Sequence, residues 1–221
     1  MLKGWQIGLV ASAIVFMILA FGFYIGVHIW ARYYRRKTKG QLDRETLIKM
    51  DSLKNQTGEL PMNLYKYFCS QANLFDIEGI INTVFNNGYK GVLVINNSDL
   101  FPLSAIAQKI KSNVFYKMVD FDYDLFQNAK EKFPEEFKDN IFEYSNQKVD
   151  LVYIAHAGSS ILDEFNLSFE HLSENGMIIV SYQDTLNADM KSFVQYLIDK
   201  SIRHEIDFFG TKLIFITKKP L

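Results

Sequence analysis

Cysteine occurs once in the 221 residues, at Cys69. A lone cysteine rules out an intramolecular disulfide framework and any zinc site built on cysteines. The sequence has no Walker A motif and no G-x-G-x-x-G, so a nucleotide hydrolase or an ordinary nicotinamide dehydrogenase has little support. No G-x-S-x-G nucleophile elbow occurs either. Proline is scarce, with four residues, while Phe, Ile, Lys and Asn are abundant. That bias carries no functional information by itself. What is present is enough apolar character to build a core: 48 % hydrophobic against 22 % charged residues, which excludes wholesale disorder.

The net charge of −1 hides a division along the chain. Residues 1–39 carry six basic residues (Lys3, Arg32, Arg35, Arg36, Lys37, Lys39) and no acid. Residues 40–221 hold 18 basic and 25 acidic residues, a formal charge of −7. A domain that acidic lacks the basic surface that displaces counterions from nucleic acid, so no nucleic-acid partner is expected.

Residues 7–31 (IGLVASAIVFMILAFGFYIGVHIWA) form an apolar run without formal charge apart from His28. At 1.5 Å per residue a helix of that length spans about 37 Å, enough for a hydrocarbon core of about 30 Å. Trp5 and Trp30 bracket the run, and Tyr33 and Tyr34 follow, as interfacial aromatics do. A cleaved signal peptide has a shorter core and a small-residue cleavage site, whereas this run continues into WARYYRRKTK. The reading is a retained transmembrane helix, so the lipid bilayer is the first expected partner. Five basic residues follow it closely and only Lys3 precedes it, which places the C-terminal domain in the cytoplasm by the positive-inside rule. Gly22 and Gly26 form a GxxxG, as do Gly4 and Gly8, a spacing that lets two helices approach and form a homodimer.

The expected organisation is a membrane anchor over 1–34, a polar juxtamembrane linker over 35–60 and a folded domain over 61–221. Pro61 opens a helix over 61–72. A second runs over 76–87 with Asp76 as N-cap and Gly88 as its stop; Ile77, Ile80, Ile81, Val84 and Phe85 form its apolar stripe. After Gly88 the pattern alternates. Strands are expected at 91–95 (GVLVI), 115–121, 140–144, 149–155 (VDLVYIA) and 177–182 (MIIVSY). Helices are expected at 102–111, 124–133, 160–173 and 186–200. Continuous apolar runs mark parallel strands covered on both faces. The last two strands, 204–209 and 213–217, are joined by a Gly-Thr turn and must be antiparallel. The fold class is α/β: a doubly wound, mostly parallel sheet with a C-terminal antiparallel hairpin.

That order of elements over residues 60–221 resembles the class I S-adenosylmethionine (SAM) dependent methyltransferases, closest to the small O-methyltransferase type. The family's first strand runs into V-L-E-I-G-x-G-x-G. Here VLVINNSDL aligns without a gap, with Val94 at the acidic position and Asn96, Ser98 and Leu100 at the three glycines. VDFD resembles the end of the second strand, where an acid binds the ribose hydroxyls; this falls on Asp120. KVDLVYIA resembles the fourth strand, and LSENGMIIV the approach to the fifth. The resemblance implies SAM as cofactor, with Asn96, Ser98, Leu100 and Asp120 as binding positions. The cation-dependent branch has an acid where Ala155 stands here, so no metal is implied.

The departures have physical content. The family glycines let the backbone come against the cofactor, where a Cβ intrudes. Asp99 lies just before a helix N-terminus, where it either caps its own helix or competes with the methionine carboxylate. Asp120 is either the ribose acceptor or a solvated acid at a strand end. His156 follows the fourth strand, at the carboxyl end where ligands of open α/β sheets bind; it is either a general base or a polar loop residue. Ser159 and Ser160 read as a helix N-cap, and His204 as structural. Two functions stay open: a membrane-anchored SAM-dependent methyltransferase with a small-molecule or lipid-like acceptor, and a catalytically silent descendant acting as a binding or scaffold module.

The charge asymmetry yields a test of topology. A reporter fused to the C-terminus is expected to be active only on the cytoplasmic side. Digestion of the folded domain by protease added outside intact cells would overturn that orientation.

Overall fold

The apolar runs after Gly88 become the centre of one seven-stranded sheet. The computed structural model describes residues 59–118, 120–156, 160–182 and 187–218, together with the helical positions 17, 21–24 and 27. The chain divides into two units, Met1–Lys49 and Met50–Leu221. In the first, Met17, Phe21, Phe23, Tyr24 and Val27 are exposed. No helix among the described residues is long and apolar enough to cross a membrane. The rest of the expected anchor, Gly26 and the linker up to residue 58 lie outside the described residues.

In the second unit, helices α1 (Met62–Tyr67) and α2 (Leu74–Asn87) precede strand β1 (Gly91–Asn96). Then come α3 (Phe101–Lys109), β2 (Asn113–Met118), α4 (Tyr123–Lys132), a 3-10 turn (Pro134–Glu136), β3 (Ile141–Glu143) and β4 (Val149–Ile154). The chain ends with α5 (Ile161–Glu170), β5 (Leu172–Ser181), α6 (Asn187–Asp199), β6 (His204–Phe208) and β7 (Lys212–Thr217). The sheet order is β3-β2-β1-β4-β5-β7-β6. The pairs among β1 to β5 are parallel, while β5–β7 and β6–β7 are antiparallel.

Alternation along the strands explains the two-sided burial. Val92, Val94, Leu151, Tyr153, Ile179 and Leu213 face a core shared with α2 and α3. Leu93, Ile95, Val152, Ile154, Ile178 and Val180 face the opposite core, against α5 and α6. Burying one such aliphatic side chain contributes roughly 1.5–3 kcal/mol, so the central strands cannot be uncovered on either face. Because β2 lies on one side of β1 and β4 on the other, the chain reverses its direction of winding between them. Ligands of open α/β sheets bind at such a switch point.

Several boundaries differ from the sequence expectation. The helix expected over 61–72 stops at Tyr67, because Cys69 takes a left-handed φ of 51° and the chain turns into a loop. Asn73, not Asp76, caps α2: its Oδ1 accepts from Phe75 N at 3.0 Å and Asp76 N at 3.4 Å. At the other end Gly88, at φ 64°, provides the left-handed stop. β2 ends at Met118 rather than 121, and Phe121 instead stacks on Tyr116 at 4.4 Å. β5 starts at Leu172, earlier than expected, with a register shift opposite Val149 and Leu151. At Gly176 a Cβ would lie 2.8 Å from the Asp150 carbonyl, so this part of β5 admits only glycine. Asp122 and Ser160 cap α4 and α5.

Two buried or half-buried carboxylates tie the elements together. Asp76, in the first turn of α2, is 2 % exposed. Its Oδ1 accepts from Gly210 N at 2.8 Å and Thr211 N at 3.0 Å, and its Oδ2 from Thr211 Oγ1. One side chain thus fixes the hairpin turn of β6 and β7 to a helix 134 residues away. At the opposite end of the sheet Asp150 accepts from Lys90 N at 2.8 Å, Gly91 N at 3.2 Å and Ser173 Oγ at 2.8 Å. Burial pushes the Asp150 carboxyl up, but the bonds from Lys90, Ser173 and Gly91 outweigh it and hold it below its ordinary value.

Asp76→Ala is expected to cost about 2–3 kcal/mol in urea unfolding, since it strands two backbone donors and a hydroxyl. Thr211→Val, which removes one of the three donors, is expected to cost less. A loss no larger for Asp76→Ala than for Thr211→Val would overturn the clamp. Asp150 gives a pH signature. Its depressed folded value contributes stability that is present above the unfolded value of 3.8 and lost as pH falls through the folded one. The stability gap between wild type and Asp150→Asn is therefore expected to be full above about pH 5 and to shrink through the acid range below it.

Candidate functional site

β1 and β4 end side by side, with Ala155 N donating to the Ile95 carbonyl at 2.9 Å. Beyond them the chains separate, one into α3 and the other toward α5, and a cavity of about 470 Å³ opens at their carboxyl ends. Its floor is Asn96–Asp99 on one side and Tyr153, Ala155 and His156 on the other, with Ser181 from the end of β5. The loop between α1 and α2, including Cys69, Ala72 and Asn73, forms the facing wall.

The β1–α3 loop does without glycine by satisfying its own polar groups. Asn96 is buried; its Nδ2 donates to the Asp99 carbonyl at 2.8 Å and its Oδ1 accepts from Asn97 N at 2.9 Å. Asp99 Oδ1 accepts from Phe101 N at 2.9 Å, capping the start of α3. Asp99 Oδ2 accepts from Ser70 Oγ at 2.6 Å, and Ser70 Oγ in turn accepts from Ala72 N at 3.1 Å. The capping reading of Asp99 is thus the one realised. No residue of the loop takes a positive φ. Leu100 adopts φ −81°, is 1 % exposed and does not line the cavity. Phe101 is fully buried, edge-on to Tyr65 at 5.0 Å. Side chains at the glycine positions therefore leave the cavity open.

The structure brings Asn96, Ser98 and His156 to one cavity. It does not bring Asp120 or Leu100 there. Asp120 is exposed, in a turn two residues beyond β2. His204 lies elsewhere, its Nδ1 2.9 Å from the Ile202 carbonyl. Ser159 and residues 183–186 after β5 lie outside the described residues. Among the described residues no group of three or more His, Cys, Asp or Glu is placed to hold a metal ion.

Sequence reasoning missed the loop wall, Tyr153 and Ser181. Tyr153 and Ser181 sit within apolar strand runs and read as core; only the parallel register places them at the strand ends. Ser70 carried no signal, since its partner is 29 residues away. A second cavity of about 420 Å³ lies at the opposite end of the sheet, near Tyr89, Asn175, Arg203 and Thr217.

No protein-family model matches the sequence, and no curated protein does. Solved structures match in fold. A candidate caffeoyl-CoA O-methyltransferase from Staphylococcus aureus aligns with TM-score 0.57 and 14 % identity, over 80 % of this chain and 99 % of that one. The O-methyltransferase from Bacillus cereus, in complex with SAH, aligns with TM-score 0.56 and 10 % identity, over 76 % and 96 %. An SAH-bound methyltransferase from Podospora anserina aligns with TM-score 0.54 and 11 % identity, over 80 % and 96 %. At such identities the likeness is one of fold, and the fold is the Rossmann-like one of these methyltransferases.

Proposed function

We propose that the chain is a SAM-dependent methyltransferase, held at a membrane by an anchor over 1–34 and a linker over 35–60, acting on a small hydroxylated or lipid-like acceptor. The observation that carries the reading is the open cavity at the β1/β4 switch point of a sheet with this strand order. Asn96, Ser98 and Leu100 stand where the family's loop has three glycines. Support for the fit comes from the loop itself: Asn96 folds back on Asp99, Leu100 is buried in the core, and Ser98 puts a small side chain at the cavity beside Asn96.

In this reading residues 96–99 hold the cofactor, and Asp120, outside the cavity lining but two residues beyond the adjacent strand β2, accepts from the ribose hydroxyls of a ligand that extends past the cavity's edge. SAM, when bound, supplies a methyl group made electrophilic by its sulfonium. The protein supplies orientation and a proton acceptor. His156, on the cavity wall, would take the proton of an acceptor hydroxyl whose oxygen displaces the neutral thioether from the methyl carbon. Tyr153 and Ser181 add polar groups beside it, each buried at 4 % exposure.

Calorimetric titration of the purified full chain with SAM tests the reading. Asp120→Ala is expected to weaken binding by about ten- to a hundredfold, the scale of hydrogen bonds to a charged group. His156→Ala is expected to lower kcat far more than it changes affinity. Wild-type protein that shows no heat at millimolar SAM would leave the silent binding module as the function.

A further inference from the structure

Asp99 has a role that capping does not exhaust. Among the described residues, the cavity lining contains one carboxylate, Asp99, and no lysine or arginine. Its hydrogen bonds from Phe101 N and Ser70 Oγ disperse the negative charge without cancelling it. The two ion pairs among the described residues, Lys117–Glu164 and Lys130–Asp139, lie elsewhere. A ligand entering the cavity strips water from this carboxylate, which is costly unless the ligand brings a positive charge.

The same geometry leaves an anion fewer backbone donors at the start of α3. A helix N-terminus ordinarily attracts them through its free N–H groups. Here Phe101 N is taken by Asp99, and the next residue, Pro102, has no N–H. Asn97 N is taken by Asn96. The position where a bound carboxylate or phosphate would seek donors presents a fixed negative charge.

We infer that Asp99 anchors a positively charged group of the ligand and that the cavity discriminates against ligands whose end at this position is anionic. Resting on the reading above, that group is the α-ammonium shared by SAM and S-adenosylhomocysteine. Asp99 thereby supplies, from the far end of the loop, the negative charge that the sequence lacks at the fully buried Val94.

The test compares three neutral-thioether probes on the full chain. These are S-adenosylhomocysteine, its N-acetyl derivative, which loses the ammonium but keeps the carboxylate, and 5′-methylthioadenosine, which lacks the amino-acid end. Wild type is expected to bind S-adenosylhomocysteine about tenfold or more tighter than the N-acetyl derivative. Asp99→Asn should remove that preference and leave 5′-methylthioadenosine affinity unchanged. Ser70→Ala, which keeps the charge, should retain the preference. Equal wild-type affinity for the first two probes would overturn the inference, and it requires no variant to fold. So would an Asp99→Asn protein that loses 5′-methylthioadenosine as severely as S-adenosylhomocysteine, the mark of a structural cap. Failure of wild type to bind all three overturns the cofactor reading itself, and this inference with it.

Discussion

The structure follows from the burial of β1 on both faces. Val92, Leu93, Val94 and Ile95 are each at most 3 % exposed, so helices must cover the sheet above and below. Parallel neighbours on both sides of β1 then force long crossover connections, and these carry the covering helices. The reversal of winding beside β1 leaves a crevice at the carboxyl ends that no crossover fills. The candidate site is therefore a by-product of the way the core is built, and one of its buried polar residues, Asn96, is the last residue of β1.

Carboxylates fix what apolar packing leaves free. Packing alone specifies which faces meet, with little preference for where a hairpin turn or a loop comes to rest. Asp76 locates the β6–β7 turn against α2, and Asp150 locates the entries of β1 and β5 around β4. Asp99 and Ser70 do the same for the loop that walls the cavity. Each carboxylate accepts backbone or hydroxyl donors that would otherwise be stranded, so these contacts are directional where the core is not.

The β1–α3 loop exchanges one solution for another. A glycine loop offers bare backbone to a ligand and satisfies its donors through that ligand. Here Asn96 and Asp99 satisfy the donors within the protein, and no left-handed residue is required. The cavity stays open, and Asp99 is the carboxylate among its described lining residues.

The sequence by itself determined the alternation of elements, the parallel centre and the antiparallel end, because two-sided burial writes continuous apolar runs and a short Gly-Thr turn permits only reversal. It also determined that residues 96–99 and His156 follow strand ends, where crevices form. Helix ends were legible only approximately: Asp76 reads as an N-cap because local spacing cannot reveal a partner at Gly210 and Thr211. The replacement of the family's third glycine by Leu100 reads as hard to accommodate along the chain for the same reason. Whether Leu100 blocks a ligand or enters the core depends on the direction of its side chain, and neighbours far off in sequence set that direction. The same holds for Ser70, whose bond to Asp99 closes the loop, and for Tyr153 and Ser181, which strand register brings to one cavity; these are interactions between residues too distant along the chain to leave a periodic signal.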